Sequence, residues 1–596
     1  NLWLREVEPH LAMLCLGMYL RHVRPTPMMI ALALSALGAA RAQQGGTSSS
    51  KAEGHPQMTI QHCTRKAGCT KEQAGITVDE SWRWIHGIGG YTNCLQGNTW
   101  EPSFCPNPSI CARNCVVETA DVSDYAKNYG VAPVAGVPGS MELKYVAPGG
   151  AVASRVYLTD SDETYKVFKL KNREFTVDVD VSTVPCGINA ALYFIEMPQN
   201  GGKGLGNNNA GAKFGSGYCD AQCPRGNKFI NGQANSVNWG MVPAKSPSGE
   251  RKQDGPVGQY GACCAEMDVF EANRDAAAFT AHPCRSKVRG LYRCNGTEEC
   301  GDKGDPSLPG MCDKEGCGFN SWRMGDQNFY GKGAKFKVDT SKPMTLVTQF
   351  ITTDGTDTGD LSEIRRIWLQ NGKVVQNSNA KVLGEDAGHS LTESLCAAEV
   401  KAFDASSKNE SKGTSSKNES KGSDVFAQYG GLKSMGQALD RGMVLSLSIW
   451  HDALGRMLWL DGEKAQSDDD SSDPGTSRGP CAFESGSPEE LQKKHKDASV
   501  KFMNIKYGEL NSTFSTTPAP AQAKFQLSDA GEEQRALRRG ATAGQAEQPR
   551  KAASYIGLVA ILGACVMVAH LAAKRSWKWL RTGSATPQGT YAHVSS

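Results

Sequence analysis

The chain has 596 residues, of which 39% are hydrophobic, enough apolar material for one large core or several smaller ones. Its formal net charge is only +3, because 65 basic residues are nearly balanced by 62 acidic residues. No long basic stripe interleaved with aromatic residues occurs in the body of the chain, so nucleic acid is not an expected partner.

The N-terminus has the organisation of a secretory signal peptide. Arg21 and Arg24 precede an apolar run at 28–40, and residues 40–42 form an A-x-A cleavage pattern. We interpret Met18 as the start of this signal and the preceding residues as upstream translated sequence. A membrane anchor is the alternative, but the run is shorter than the roughly 20 residues that a span needs.

The cysteine content predicts disulfide bonds. Of the 20 cysteines, Cys15 and Cys565 lie in apolar terminal segments, which leaves an even set of 18 between Cys63 and Cys481. An even set in a chain with a signal peptide indicates up to nine disulfides in an oxidising compartment. A zinc site is the alternative, and the absence of C-x-x-C spacings disfavours it. We therefore expect no metal and no cofactor.

The body of the chain is predicted to be all-β. Phe175, Val177 and Val179 alternate with polar residues, the period-2 pattern of a half-buried strand. The clearest helix signal is at 487–490, where a capping box has proline at the first helical position. We predict an antiparallel β-sandwich with long loops. Further strand signals lie at 344–352, 442–450 and 500–507, with a type I′ hairpin signal at Asn371-Gly372.

One internal duplication occurs, in which residues 406–413 are repeated at 415–422. The repeat is polar and adds two N-x-S sequons, so we interpret it as a glycosylated surface-loop insertion. The sequons of the chain are headed by Asn295, Asn409, Asn418 and Asn511.

The C-terminal region predicts a stalk followed by a membrane span. Residues 512–551 are rich in Ala, Thr, Pro, Gln and charge without apolar periodicity, which is typical of a flexible linker. Residues 552–573 contain no charge and are long enough to cross a bilayer. Basic residues and two tryptophans follow within 574–581, as expected of a cytosolic flank. A removable lipid-anchor signal is the less favoured alternative.

The stretch most informative about chemistry is 263–273, where Glu266, Asp268 and Glu271 lie within six residues. On a strand Glu266 and Asp268 face one side, and Glu271 can join them only if the strand bulges. A retaining glycosidase needs two carboxyl groups about 5 to 5.5 Å apart, one as nucleophile and one as acid. A third carboxylate such as Asp268 can hold a proton near the nucleophile. The alternative is a solvated acidic strand.

This stretch resembles the signature of glycoside hydrolase family 7, the cellobiohydrolases and endoglucanases. The resemblance covers about residues 56–510. It implies a concanavalin-like β-sandwich, or jelly roll, of two curved antiparallel sheets whose long loops roof a substrate groove, and hydrolysis of β-1,4-glucosidic bonds in cellulose. Further segments in family order are 81–84 (SWRW), 92–94 (TNC), 97–100 (GNTW), 217–220 (GYCD), 228–235 (KFINGQAN) and 457–461 (MLWLD).

The resemblance also implies residue roles. Glu266 matches the nucleophile, Asp268 its partner carboxylate, Glu271 the general acid/base and His282 a nearby active-site histidine. Four tryptophans match positions that stack glucose rings, namely Trp82, Trp84, Trp450 and Trp459. Strand parity places Trp450 with Ser446 and Ser448 rather than with the apolar core. Polar groups around the cut site are Asn189, Tyr193, Tyr218 and Gln222, and Arg478 matches a product-binding arginine with Glu315 as a nearby acid.

The chain departs from the family pattern at two positions. Phe270 replaces a tryptophan, which keeps an aromatic wedge under the acids, and Ser307 stands where a second product-binding arginine is common. The family's disulfide pairing, laid on this chain, uses all eighteen cysteines. The implied pairs are 63 with 69, 94 with 115, 105 with 111, 186 with 481, 219 with 264, 223 with 263, 284 with 312, 294 with 300 and 317 with 396.

Three functions remain open at this point. The long loops at 235–262 and 291–311 favour a roofed tunnel and processive release of cellobiose over an open-cleft endoglucanase. A catalytically weak glucan-binding wall protein is the third, and the intact acids argue against it. We expect a monomer. The predicted segments are an upstream region (1–17), a signal peptide (18–42), a disordered segment (43–55), a catalytic domain (56–511), a stalk (512–551), a transmembrane helix (552–573) and a cytosolic tail (574–596).

Overall fold

Strands dominate the part of the chain that the structure, a computed structural model, describes. It describes residues 44–45, 52–245, 251–303, 309–384, 387–403, 424–464 and 475–515. The segments predicted for 1–42 and 552–596, the duplication at 406–422 and Ser307 lie outside the described residues. Within them, no helix has both the length and the apolar character needed to span a bilayer.

The strands and helices alternate with loops along the whole domain. The strands are β1 (Gln44–Gly45), β2 (Gln57–Thr64), β3 (Gly68–Val78), β4 (Ile85–Gly87), β5 (Leu95–Gln96), β6 (Thr99–Trp100), β7 (Cys115–Val117), β8 (Val131–Ala132), β9 (Ser140–Lys144), β10 (Ser154–Thr159), β11 (Val167–Phe168), β12 (Arg173–Asp180), β13 (Asn189–Ile195), β14 (Phe229–Ile230), β15 (Gln233–Ala234), β16 (Gly240–Lys245), β17 (Arg251–Val257), β18 (Tyr260–Cys263), β19 (Glu266–Ala272), β20 (Ala277–His282), β21 (Tyr292–Asn295), β22 (Cys317–Asn320), β23 (Tyr330–Gly331), β24 (Val338–Asp339), β25 (Met344–Thr352), β26 (Leu361–Gln370), β27 (Lys373–Gln376), β28 (Met443–Trp450) and β29 (Ser499–Glu509). The α-helices are α1 (Pro108–Asn114), α2 (Val122–Asn128), α3 (Gly296–Glu299), α4 (Glu393–Phe403), α5 (Val425–Gln428), α6 (Gly431–Arg441), α7 (Leu458–Asp461) and α8 (Pro488–Lys494).

Sixteen of the strands form one continuous sheet that folds over itself. Its main path is β22-β20-β19-β13-β28-β10-β3-β2-β29-β12-β25-β26-β27. Phe175 on β12 and Phe194 on β13 are far apart along this path, yet their ring centroids are 5.0 Å apart. The two halves of the path therefore face each other across a shared apolar core.

The predicted β-sandwich is confirmed, with one correction to the two antiparallel sheets. The two layers are joined through β2 and β29, which pair in parallel register from Gln61 opposite Lys506. The predicted hairpin is also confirmed, because β26 pairs with β27 and the backbone φ angles of Asn371 and Gly372 are both positive, at 53° and 71°.

Two local predictions at the surface differ from the structure. The helix at 487–490 begins at Pro488, but the capping box does not form, because the Ser487 hydroxyl donates to the Glu489 carboxylate. The two longest helices of the described residues, α4 and α6, were not predicted, although Thr392 before α4 is a favoured cap residue and its hydroxyl accepts the Leu395 N–H at 3.2 Å.

Both predicted boundaries of the domain lie inside the folded body. Glu53 was assigned to a disordered segment, yet its buried carboxylate pairs with the Arg83 guanidinium at 2.8 Å. Ser512 and Thr513 were assigned to the stalk, yet both donate their backbone N–H to the buried Glu174 carboxylate. At each end a residue that composition marks as polar linker forms hydrogen bonds with a buried group of opposite character, Glu53 with Arg83 and Thr513 with Glu174.

All nine disulfides implied by the family resemblance are present. The bridge between Cys186 and Cys481 joins residues 295 positions apart. The adjacent pair Cys263 and Cys264 connects β18 and β19 to the loop that contains Cys219 and Cys223. Two disulfides therefore hold this loop beside the strand that carries the acidic cluster. The remaining bridges are 63–69, 94–115, 105–111, 284–312, 294–300 and 317–396.

Candidate active site

The three acidic side chains of β19 share one face of the sheet because the strand contains an extra residue. Glu266, Asp268 and Glu271 lie opposite Ile195, Tyr193 and Ala191 of β13, three residues that alternate along that strand. The register shifts between them, and Val269 is the residue that has no partner on β13. The predicted bulge is therefore present. The side chains of the opposite face, Met267, Val269, Phe270 and Ala272, all lie in the apolar core.

Glu266 is a buried carboxyl, with 8% of its surface exposed. Its Oε2 accepts a hydrogen bond from the backbone N–H of Ala221 at 3.0 Å. Burial, reinforced by the charges of Asp268 and Asp220, raises the pKa of Glu266 well above its usual range. The Ala221 N–H and the nearby His282 act in the opposite direction and stabilise the anion. These are the two groups that hold the charge when Glu266 ionises.

Asp268 and His282 form a buried ion pair beside Glu266. The Nε2 of His282 lies 3.0 Å from Oδ2 of Asp268, and its Nδ1 lies 2.9 Å from the carbonyl oxygen of Asp313. Because a carbonyl oxygen only accepts, Nδ1 carries a hydrogen. Burial disfavours the cation, but the Asp268 carboxylate raises the pKa of His282 to about 10. The proton next to Glu266 is thus carried by His282, a partner that the sequence analysis did not assign to Asp268.

Glu271 is positioned by Asn189 on the neighbouring strand. The Asn189 side-chain amide donates to Oε1 of Glu271 at 3.0 Å, and its oxygen accepts the backbone N–H of Ala272 at 3.0 Å. Asn189 itself is fully buried. Burial and the charge of Asp268 raise the pKa of Glu271 to about 8. At neutral pH Glu271 therefore carries a proton that it can donate.

A further buried carboxyl, that of Asp461, binds the chain just after β19 ends. Oδ2 of Asp461 accepts a hydrogen bond from the Asn273 side chain at 2.6 Å and one from the Gly187 backbone at 2.8 Å. Burial raises the pKa of Asp461 to about 7. Asp461 links the residue after β19 to the loop before β13. It thereby fixes the ends of the two strands that carry Glu271 and Asn189. Asp461 lies in one of the segments that resemble the family, but no pattern in that segment indicates its role.

Tyrosines connect the acidic cluster to a buried arginine. The hydroxyls of Tyr193 and Tyr218 are 3.1 Å apart, and Tyr218 donates to Oδ2 of Asp220 at 2.5 Å. The Arg155 guanidinium carbon lies 3.3 Å from the centre of the Tyr218 ring. Asp220 and Arg155 were missed as site residues, because a single polar residue in a loop and another on the distant strand β10 leave no local pattern in the sequence.

The four predicted tryptophans fall into two groups. Trp450 lies opposite Asn189 across the β13–β28 pair, and its ring stacks at 6.0 Å on that of Trp459. At the other end, the Trp84 indole donates to the Asn93 side chain, and Arg155 lies 5.2 Å from the Trp82 ring. The parity prediction for Trp450 is confirmed, since Met443, Leu445, Leu447 and Ile449 form the core face of β28.

The remaining predicted residues lie at the edge of the cluster. Gln222 is exposed and its amide donates to the carbonyl oxygen of Lys314 at 2.8 Å. Arg478 accepts the Asn320 side chain at its carbonyl oxygen. Its guanidinium counteracts the burial that raises the pKa of Glu399. Phe270 is fully buried under the acids, as predicted.

Comparison with known proteins identifies relatives over most of the chain. The family model described as Glycosyl hydrolase family 7 matches residues 47–514. A GH7 family cellobiohydrolase from Daphnia pulex is 41% identical with a TM-score of 0.70, covering 79% of this chain and 100% of that chain. A cellobiohydrolase from Melanocarpus albomyces in complex with cellotetraose is 34% identical with a TM-score of 0.67, covering 79% and 99%. The Humicola insolens endocellulase EGI is 33% identical with a TM-score of 0.61, covering 79% and 100%.

Replacement of Glu271 by Gln is expected to stabilise the fold more at alkaline than at acid pH. Because the fold raises the pKa of Glu271 from 4.5 to about 8, the wild type loses stability as pH rises through this range, whereas glutamine stays neutral. The difference in unfolding free energy between variant and wild type should grow by roughly 1–3 kcal/mol from acid to alkaline pH, allowing for solvent at this half-buried side chain.

Urea denaturation at about pH 4 and about pH 9 measures this difference. Glu315→Gln is the control, because Glu315 is exposed and its replacement should leave the pH dependence unchanged. A stabilisation by Glu271→Gln that is the same at both pH values would contradict a carboxyl held neutral by the fold.

Proposed function

Because the chain belongs to Glycosyl hydrolase family 7, we propose that Glu266 and Glu271 hydrolyse the β-1,4-glucosidic bonds of cellulose with retention of configuration. The chain is a glycoside hydrolase. The observation that carries this proposal is the bulge at Val269, which brings the two carboxyls to one face of β19. A solvated acidic strand, the alternative drawn from the sequence, does not fit the burial of Glu266 and Asp268.

The first step separates the sugar from its leaving group. Glu271, protonated at neutral pH, donates its proton to the glycosidic oxygen while the Glu266 carboxylate attacks the anomeric carbon. The Ala221 N–H and the His282 cation stabilise the Glu266 anion before attack. In the second step Glu271, now ionised, removes a proton from water, and the water displaces Glu266 with a second inversion. Retention results from the two inversions.

Asp268 acts on Glu266 through His282, which it keeps protonated. Their ion pair fixes a positive charge beside the nucleophile, and the contact of His282 with Asp313 fixes the orientation of the ring. On the acid side Asn189 holds Glu271 and stabilises its ionised form after proton donation. Each of the two carboxyls therefore has its own polar support, which keeps their roles distinct.

Tryptophan rings and polar groups bind the glucan chain. A pyranose ring presents apolar C–H faces that stack on an indole, and its hydroxyls need hydrogen-bonding groups at the edge of the stack. Trp450 and Trp459 lie on the side of Glu271, next to Asn189. Trp82 contacts Arg155, and Trp84 follows it by two residues in the chain. Tyr193, Tyr218 and Gln222 supply polar groups between them, and Arg478 is assigned to the product. Glucan chains bind along this line.

We favour release of cellobiose from chain ends over random internal cleavage. Two cellobiohydrolases, one 41% and one 34% identical, are at least as similar to this chain as the endocellulase at 33%. The loop from 235 to 262 contains the hairpin of β16 and β17, which supplies chain for a roof over the groove. An open-cleft endoglucanase is the second candidate, and product analysis separates the two.

The enzyme is proposed to act outside the cytosol while attached to a membrane. Nine disulfides are consistent with the oxidising secretory pathway. The membrane attachment rests on the uncharged stretch at 552–573 and the basic residues after it. The described part of the chain ends at residue 515, so the attachment depends on the sequence alone.

A 2-fluoro cellobiosyl fluoride is expected to label Glu266, because the fluorine slows release of the covalent intermediate more than its formation. Glu271→Ala should lose activity about a hundredfold or more on cellulose but much less on an aryl cellobioside with a good leaving group, which needs no proton. Peptide mapping by mass spectrometry and initial rates on both substrates provide the measurements. Label on Glu271, or equal loss on both substrates, would refute the assigned roles.

Trp84→Ala should reduce activity on crystalline cellulose while sparing short soluble oligosaccharides. Trp84 lies away from the acids, and stacking of one glucose ring contributes about 1 kcal/mol, so its loss weakens capture of a chain end. Trp84→Phe keeps a flat ring and is the matched control. Cellobiose as the main product supports the exo mode. A broad oligosaccharide mixture, with Trp84→Ala harmless on both substrates, would favour the endoglucanase.

The complete chain is expected to remain with membranes after alkaline carbonate extraction. A chain truncated after Ser515 keeps the folded domain and should be released into the medium with unchanged activity on soluble substrates. Western blotting of membrane and medium fractions measures both. Release of the complete chain into the medium would overturn the membrane attachment without affecting the catalytic assignment.

A further inference from the structure

A buried arginine occupies a core position beneath the acidic strand. The inward-facing residues of β26 are Ile364, Arg366, Trp368 and Gln370, so Arg366 stands between two apolar residues of the core. Only 1% of its surface is exposed. Among the described residues, no carboxylate lies within ion-pairing distance of it. Its guanidinium packs on aromatic rings instead, 4.6 Å from the centre of Phe279 and 5.3 Å from that of Trp368.

Burying a cation in an apolar core costs free energy, so the hydrogen bond that Arg366 makes there indicates what the residue does. The guanidinium Nη2 of Arg366 donates to the carbonyl oxygen of Val269. Its Nε has no hydrogen-bond partner in the described part of the chain. Arg366 therefore makes a single directed polar contact, and this contact crosses the core from one layer of the sandwich to the other.

The acceptor of this bond is the extra residue of β19. Val269 has no partner on β13, and on the other side two residues of β19, Val269 and Phe270, lie opposite the single residue Phe279 of β20. A bulge leaves backbone groups of the extra residue outside the ladder. Arg366 supplies the missing donor for the Val269 carbonyl group, and it packs on Phe279, the residue across from the bulge.

The bulge decides on which side of the strand Glu271 lies. In a regular strand Glu271 would point into the core, because its separation from Glu266 is an odd number of residues. We propose that Arg366 is a positioning residue that holds the bulge of β19 and thereby keeps Glu271 on the same face as Glu266. This inference rests on the proposed function, in which Glu271 is the acid and Glu266 the nucleophile.

Replacement of Arg366 by Met tests this role, because Met fills similar space without a donor. Misplacement of the acid by about 1 Å can cost on the order of a hundredfold in rate. We expect kcat/KM, which reports formation of the glycosyl-enzyme, to fall about tenfold to a hundredfold on an aryl cellobioside with a poor leaving group. On one with a good leaving group kcat/KM should fall by about threefold or less, since nucleophilic attack by Glu266 remains and needs no proton from Glu271.

Two further variants separate positioning from general destabilisation. Arg366→Lys keeps a donor that reaches toward the Val269 carbonyl, so it should recover part of the lost rate on the poor leaving group. Arg365→Met is the matched control, because Arg365 is the preceding residue, points to the outer face and pairs there with Glu363. It should change neither rate.

The proposed function is checked first by Glu271→Ala, which must itself show the dependence on leaving group. Suppose that Glu271→Ala shows this dependence on the leaving group. If Arg366→Met then loses activity on both substrates equally, or on neither, the positioning role is wrong. If Arg366→Met does not fold, Arg366→Lys decides by the same comparison. A Lys variant that folds and keeps full activity supports the donor role, and one that loses both substrates equally overturns it.

Discussion

The alternation of side chains along a β-strand is the constraint on which this site depends. Two residues separated by an odd number of positions face opposite sides of a sheet. Glu266 and Glu271 are separated in this way, so a regular β19 would bury one carboxyl in the apolar core. The extra residue Val269 reverses the parity in the middle of the strand. The chemistry of two carboxyls on one face thus follows from one irregular residue in an otherwise regular sheet.

The same constraint explains how the site tolerates so much buried charge. Each acidic group that β19 turns toward the substrate face receives a polar partner from a neighbouring element: Ala221 for Glu266, His282 for Asp268 and Asn189 for Glu271. The disulfides of Cys263 and Cys264 hold the Ala221 loop against this strand. Burial and the charge of Asp268 raise the pKa of both carboxyls, and the His282 cation favours the ionised form of each.

Much of this arrangement could be predicted from local sequence patterns, and the rest depends on contacts between distant segments. The spacing of Glu266, Asp268 and Glu271 already requires a bulge if all three are to act together, and Asn371-Gly372 specifies its turn by backbone conformation alone. Arg366 gives no such signal, because an arginine in an alternating strand is normally assigned to the solvent face.

The two ends of the domain were misplaced for the same reason, because contacts with distant residues hold them. Glu53 and Thr513 lie in polar stretches that composition marks as linker, but the buried partners Arg83 and Glu174 draw them into the fold. The Ser487 hydroxyl has the right spacing for a helix cap and instead bonds to Glu489, two residues on. The disulfide pairing came from family resemblance, since spacing alone allows very many pairings.

The order of strands in the sheet has a consequence for biosynthesis. β28 lies between β13 and β10, and β29 lies between β2 and β12, so the last two strands to be synthesised occupy internal positions. Ribosomes add about 5–20 residues per second, and Cys481, the disulfide partner of Cys186, is synthesised 295 residues later. For tens of seconds a nascent chain therefore exposes unpaired edges on strands that will be central in the finished sheet. These edges remain without their final partner strands until translation has passed residue 509, where β29 ends.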